Sequence, residues 1–213
     1  MLLMSSGSYG NSHLDILDIR NEPLQTVKTV PLESVYFGEG ITYLPDTKEI
    51  IMLTYKKRKA FRFNLDLVLL EEMIIPTSIR EGWGMTHVGN EVLVSDGTDK
   101  LFYIQPETFV ITRTVQVRDN GNAIQRINEL EHVDGKIYAN VFMSNDLLVL
   151  SLDAVVLDRY DMSELLKLEQ DYNKKNSVYW NSYDVANNVL NGIAYHKSSD
   201  TFFVTGKNWH FIY

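Results

Sequence analysis

One short motif returns four times along this chain. The copies are Gly38-Glu39-Gly40-Ile41-Thr42, Gly82-Trp83-Gly84-Met85-Thr86, Asn128-Glu129-Leu130-Glu131-His132 and Asn191-Gly192-Ile193-Ala194-Tyr195. From 12 to 16 residues after the start of each comes a small polar residue that ends an apolar run: Thr54, Ser95, Asn140 and Thr205. A further aromatic-rich run then follows at Ala60 to Asn64, Leu101 to Gln105 and Leu147 to Leu152, while the fourth copy ends at Phe211 to Tyr213. Between the runs stand turn formers such as Leu44-Pro45-Asp46, Asp96-Gly97-Thr98, Asn120-Gly121 and Asp134-Gly135, the residue types that supply tight hairpin turns. A period in the forties with several short strands per unit marks a β-propeller blade.

A fifth unit is partly visible, because Met4-Ser5-Ser6-Gly7-Ser8 parallels Val94-Ser95-Asp96-Gly97-Thr98. The expectation is therefore an all-β chain forming a five-bladed β-propeller. It would be a single domain over residues 1–213, its first blade lacking the innermost strand at the N-terminus. The long gap before the last copy holds the one helical pattern, Asp161 to Lys175. There Met162, Leu165, Leu166 and Tyr172 share a face, and Asp161 with Glu164 forms an N-terminal cap pattern. We expect a short helix over about 161–175, inserted at a blade rim.

Composition removes several classes of function. The net charge of -8 makes nucleic acid a poor partner, since phosphate binding needs clustered cations. There is no Cys, hence no thiolate nucleophile, disulfide or Cys-ligated metal. The longest apolar stretch, Leu147 to Leu157, is interrupted by Ser151 and Asp153, so a membrane-spanning helix is not expected. Apolar Met1 to Met4 gives way at once to Ser5, unlike a signal peptide, and no compartment is assigned. The five His have no paired metal-ligand spacing, and no Gly-x-Ser-x-Gly elbow, phosphate loop or zinc-helix motif is present. The basic run Lys56-Lys57-Arg58-Lys59 reads as a solvated hairpin tip.

Several segments carry a resemblance. They are Tyr36 to Thr42, Glu81 to Thr86, Ser95 to Thr98, Asn128 to Glu131, Ala139 to Val141, Asn188 to Tyr195 and Phe203 to Trp209. Together they resemble the plant and bacterial type of glutaminyl-peptide cyclotransferase, from about Leu2 to the C-terminus. The resemblance implies a five-bladed propeller, agreeing with the repeat count. It also implies cyclisation of an N-terminal glutamine to pyroglutamate with release of ammonia, without a cofactor or catalytic transition metal. The partners implied are peptides or proteins with an unblocked N-terminal glutamine, and a monomer is expected.

That reaction is an intramolecular aminolysis. A neutral α-amine, with a pKa of about 8, attacks the side-chain amide carbon. The oxyanion that forms needs donors, and ammonia leaves only if a proton reaches it. Asn128 and Lys207 match the family's active-site asparagine and lysine, and could polarise the amide. Read by themselves they are equally a blade-locking hydrogen bond and a solvated surface charge. Trp83 matches a pocket tryptophan, with glycines on both sides keeping its face clear. Tyr55 and Phe142 stand where the family has two further pocket tryptophans, so an aromatic wall is kept. Met4 departs most: the family pattern has a glutamate there, its presumed proton shuttle, and Met4 has no titratable group.

Glu39, Glu129 and Glu131 are possible substitutes, with Glu39 and Glu129 expected at one repeat position. They could also ring a channel, hold a cation there, or simply bond backbone amides between blades. Met4 thus divides two readings. One is a cyclotransferase impaired by the missing carboxylate; the other is a catalytically inactive propeller that binds peptide N-termini or a protein partner.

Overall fold

The structure is a computed structural model that describes residues 1–20, 22–176 and 188–213. It is all-β apart from one helix, in blade-like antiparallel sheets, and the chain forms two compact units: residues 1–96 with 101–114, and residues 97–100 with 115–213.

The first unit holds three sheets. Strands β1 (Leu2–Ser6), β2 (His13–Asp18) and β3 (Gln25–Pro31) make a three-stranded meander. Strands β4 (Gly38–Leu44), β5 (Glu49–Thr54), β6 (Lys59–Asn64) and β7 (Leu69–Ile74) make a four-stranded one. So do β8 (Met85–Val88), β9 (Glu91–Ser95), β10 (Lys100–Gln105) and β11 (Val110–Gln116). Strand β5 shows why the middle strands read as unbroken apolar runs. Successive side chains leave opposite faces of a strand. Ile50 and Met52 therefore pack with Leu14, Ile16 and Phe61 of one cluster, while Ile51 and Leu53 pack with Val92, Val94 and Phe102 of another. All four are fully buried, so no polar position is left in the run.

The second unit holds a small ribbon, β12 (Arg118–Asp119) with β13 (Asn122–Ala123). It also holds the four-stranded sheet of β14 (Ile127–Val133), β15 (Lys136–Val141), β16 (Asp146–Ser151) and β17 (Val156–Asp161). A last pair, β18 (Leu190–His196) and β19 (Thr201–Gly206), completes it. The two-residue turns Asn120-Gly121 and Asp134-Gly135 have positive φ at both positions, the conformation that matches strand twist in a tight hairpin.

Five full blades are not present among the described residues. Three four-stranded sheets and one three-stranded sheet make four blades, and the fifth repeat is only the β18–β19 hairpin. Its one extension is a reciprocal exchange: Val204 N donates to Tyr213 O at 2.9 Å and Tyr213 N to Val204 O at 2.8 Å. A single exchanged pair starts a strand but does not make one.

Helix α1 (Ser163–Lys175) lies where expected, and the face of Leu165, Leu166 and Tyr172 is the one turned inward, with both leucines half-buried. Its fully buried members are polar, Glu169 and Asn173, which share that face at helical spacing. The Glu169 carboxylate accepts the backbone N–H of His210 at 3.0 Å and of Phe211 at 2.9 Å, and the Tyr213 hydroxyl at 3.3 Å. A polar helix position thus anchors the C-terminal segment. The N-cap is Met162, without a side-chain cap bond; Asp161 accepts the Ser163 N–H at 2.9 Å from one residue further out.

Candidate active site

Strand register corrects the alignment of the repeat. The inner strands β4, β14 and β18 each carry a bulge, between Gly38 and Ile41, Ile127 and Leu130, and Leu190 and Ile193. Ile41, Leu130 and Ile193 are thereby equivalent, facing Met52, Ala139 and Val204, as Met85 faces Val94. Glu39, Trp83, Asn128 and Asn191 then share one repeat position. Glu129 aligns with Gly40, Gly84 and Gly192 rather than with Glu39. A sequence alignment anchored on Gly38, Gly82, Asn128 and Asn191 misses this by one residue, because the two glycines precede the shared position and the two asparagines occupy it. On the second strands Ser95, Asn140 and Thr205 are equivalent, but their partner is Leu53, not Thr54. Two residues past that position stand Tyr55, Gly97, Phe142 and Lys207. Asn128, Lys207, Tyr55, Trp83 and Phe142 each occupy one of these two repeat positions, whereas Met4, Glu129 and Glu131 do not.

In the first unit the candidates are Met4, Tyr55 and Trp83, all partly buried. The Trp83 indole N–H donates to Glu81 Oε2 at 3.0 Å. Glu81 Oε1 lies 3.8 Å from Lys56 Nζ, which sits 4.6 Å above the Tyr55 ring. Phe37 and Tyr9 continue the aromatic row from Tyr55, with centroid separations of 5.9 and 5.3 Å. Of the glycines flanking Trp83, Gly82 lets backbone approach closely, since a Cβ there would lie 2.6 Å from Thr54 O. Gly40 N donates to Trp83 O at 2.6 Å, and a Cβ on Gly40 would lie 2.4 Å from that oxygen. In the basic run Lys56 and Lys57 are exposed at the β5–β6 turn, while the other two residues are engaged. Arg58 donates to Ile75 O and Ile79 O, and Lys59 pairs with Glu72 at 2.8 Å. Met4 pairs in register with Asp15 of β2. At the opposite strand ends, Asp46, His87, Gln105 and Glu107 line an open cleft that contains none of the candidates.

In the second unit Lys207 meets Phe142, and Asn128 meets Asn191, a residue that was not singled out. Asn128 is buried, and its Nδ2 donates to Asn191 Oδ1 at 2.6 Å. Phe142 N donates to Arg126 O, and Lys207 Nζ lies 5.2 Å from the centre of the Phe142 ring. That separation suits a cation–π contact. Lys207 is presented by a tight turn. Asn208 adopts φ +60° and bonds Asn188 Oδ1 at 2.8 Å, and the Trp209 indole reaches Asn188 O at 3.3 Å. A Cβ on Gly206 would fall 2.2 Å from the Trp209 ring, so only glycine fits. Asn140 joins both inner strands, accepting from Glu129 N at 2.8 Å and donating to Leu190 O at 2.6 Å. Burial pushes the Glu129 carboxyl up to about 7; the Lys207 ammonium opposes this and the Glu131 charge adds to it. Glu131 itself accepts the Tyr195 N–H at 2.9 Å. Among the described residues no group of three His, Asp or Glu is placed to hold a metal ion.

The chain as a whole resembles known proteins. A family model for glutamine cyclotransferase matches residues 1–213. A glutaminyl-peptide cyclotransferase of Arabidopsis thaliana is 29% identical over the whole chain, which spans 62% of that relative's length. The crystal structure of Myxococcus xanthus glutaminyl cyclase superposes with a TM-score of 0.82 and 26% identity, covering 98% of this chain and 83% of that one. A Bacteroides caccae protein of unknown function shares the fold at a TM-score of 0.54 and 10% identity, over 95% of this chain and 63% of its own. With the match running from the first residue to the last, the chain belongs to the glutamine cyclotransferase family.

Proposed function

We propose that this protein is a glutaminyl-peptide cyclotransferase acting on unblocked N-terminal glutamine, built as one propeller-like domain and working as a monomer without a cofactor. The observation that carries the reading is the fixed polar pair of the second unit. Asn128 is held by Asn191 at 2.6 Å, and Lys207 is held on its turn above Phe142. Donors set in place before the substrate arrives stabilise a developing oxyanion without reorganising. Asn128 would orient the side-chain amide, Lys207 would face the oxygen as it gains charge, and Phe142 would keep the folded substrate dry.

One residue favours a second reading. The family's glutamate position is Met4 here, which supports an impaired enzyme or a propeller that only binds peptide N-termini. The test is mass spectrometry of a Gln-initiated peptide incubated with the protein and with its Met4→Glu variant. Loss of one ammonia with the parent protein is the expected result. Turnover confined to the variant supports the binding reading, and a folded protein silent in both forms removes the cyclotransferase reading.

A further inference from the structure

The reaction needs a group that moves one proton, and the second unit holds a carboxyl suited to it. Glu129 lies in the β14 bulge, next in sequence to Asn128, with its backbone amide tied to Asn140 Oδ1 at 2.8 Å. The strand's alternation puts its side chain on the face of Glu131, whose carboxylate is already committed to the Tyr195 N–H. Lys207, from the turn after β19, bears on Glu129 from the neighbouring sheet. Glu131 and Lys207 are the charged groups that bear on it among the described residues. Glu129 thus adjoins in sequence the residue proposed to orient the amide, and its charge is felt by the residue proposed to face the oxyanion.

Resting on the cyclotransferase reading, we propose that Glu129 is the proton carrier of the cyclisation, taking a proton from the attacking α-amine and delivering it to the departing nitrogen. The bond from the α-nitrogen to Cδ forms and the bond from Cδ to the amide nitrogen breaks. The proton shed by the first nitrogen passes to the Glu129 carboxylate and from the carboxylic acid to the second. Ammonia leaves, the carboxylate is restored, and no co-reactant is consumed. Burial has already raised this carboxyl to about 7, close to the range of an N-terminal amine at about 8. Both transfers are then nearly balanced, the condition under which acid–base catalysis is most effective. The family's glutamate and Glu129 are different positions, so the chain would carry out the step from the second unit despite Met4.

The experiment measures pyroglutamate formation from a Gln-initiated peptide between pH 5 and 9 for the parent, Glu129→Gln and Glu129→Asp. The expected result is a kcat loss of about 10²-fold or more in Glu129→Gln with little change in KM, and a reduced, pH-shifted rate in Glu129→Asp. The parent rate should rise with pH through about 7 as the carboxylate forms. An infrared titration of the folded proteins should show a carboxyl ionising there in the parent and missing from Glu129→Gln. That readout stands even if Glu129→Gln is destabilised. A parent that makes pyroglutamate while Glu129→Gln keeps its rate and profile overturns this assignment alone. A folded parent that makes none overturns the cyclotransferase reading and this assignment with it.

Discussion

Asn140 is the residue whose replacement should most clearly expose how the blades of the second unit are fastened. It is fully buried, and its one amide serves two strands: Oδ1 accepts Glu129 N within the sheet, and Nδ2 donates to Leu190 O of the next inner strand. Asn140→Ala leaves a buried carbonyl and a partly buried N–H without these partners. Each such loss costs roughly 1–3 kcal/mol. With the N–H at the low end, the sum is about 3 kcal/mol. For a chain of this size each kcal/mol lowers the midpoint by about 2–4 °C, so a fall of roughly 6–12 °C is expected. The equivalent residue in the first unit supplies a graded control. Ser95 Oγ accepts Gly84 N at 2.8 Å, the same bond that Asn140 makes to Glu129. Asn140→Ser should therefore keep the bond within the sheet, lose the reach to Leu190, and melt between the parent and Asn140→Ala. The assay is thermal and urea unfolding followed by tryptophan fluorescence. An Asn140→Ala midpoint within about 1 °C of the parent, or Asn140→Ser as damaging as Asn140→Ala, would refute the two-bond reasoning.

Two further outcomes follow from the same geometry. Asn191→Ala removes the acceptor that sets the Asn128 amide and should lower kcat about 10-fold, the equivalent of about 1.4 kcal/mol. Asn191→Asp keeps an oxygen there and should stay close to the parent, with KM moving little in either; steady-state ammonia release checks this, and equal kcat in all three removes the positioning role. The Tyr213 phenol is raised to about 12 by burial and by the Glu169 carboxylate. Its contribution to stability is present below the unfolded value of about 10 and is lost as pH rises through the folded value. Glu169→Ala should return the phenol toward 10, visible as an earlier ultraviolet step in an alkaline titration. An unmoved step would show that the carboxylate does not govern it.

The sequence-level signals differ in kind. Middle strands such as β5 and β9 are legible because both faces are buried, so Glu49 to Thr54 and Glu91 to Ser95 read as apolar runs between turn formers. Outer strands are not. In β7, Leu69 to Ile74 are exposed except for Met73, and their place comes from backbone pairing with β6, which leaves no side-chain pattern. The bulges were hidden for a related reason, since they change register and leave composition alone. Asn128, Lys207 and Phe142 stood out in the sequence only through the family resemblance. Asn188, Asn191 and Asn140, which hold them, were visible only as members of motifs. Their roles depend on partners tens of residues away, such as Asn128 on Asn191. Glu169 gave the least warning: a Glu on a solvated helix looks the same as one that clamps a distant segment until the segment is seen.

The recurrence of one bulge also bears on how such a protein can change its chemistry. Glu39, Trp83, Asn128 and Asn191 occupy the same address in successive repeats, and Tyr55, Gly97, Phe142 and Lys207 occupy a second. The strands behind each address are pinned by buried apolar residues such as Met52, Val94, Ala139 and Val204. A substitution at either address therefore alters what the repeat presents while the core behind it keeps its register. Chemistry can be rewritten one blade at a time, with the remaining copies holding the frame, and a lost function at one address can reappear at another.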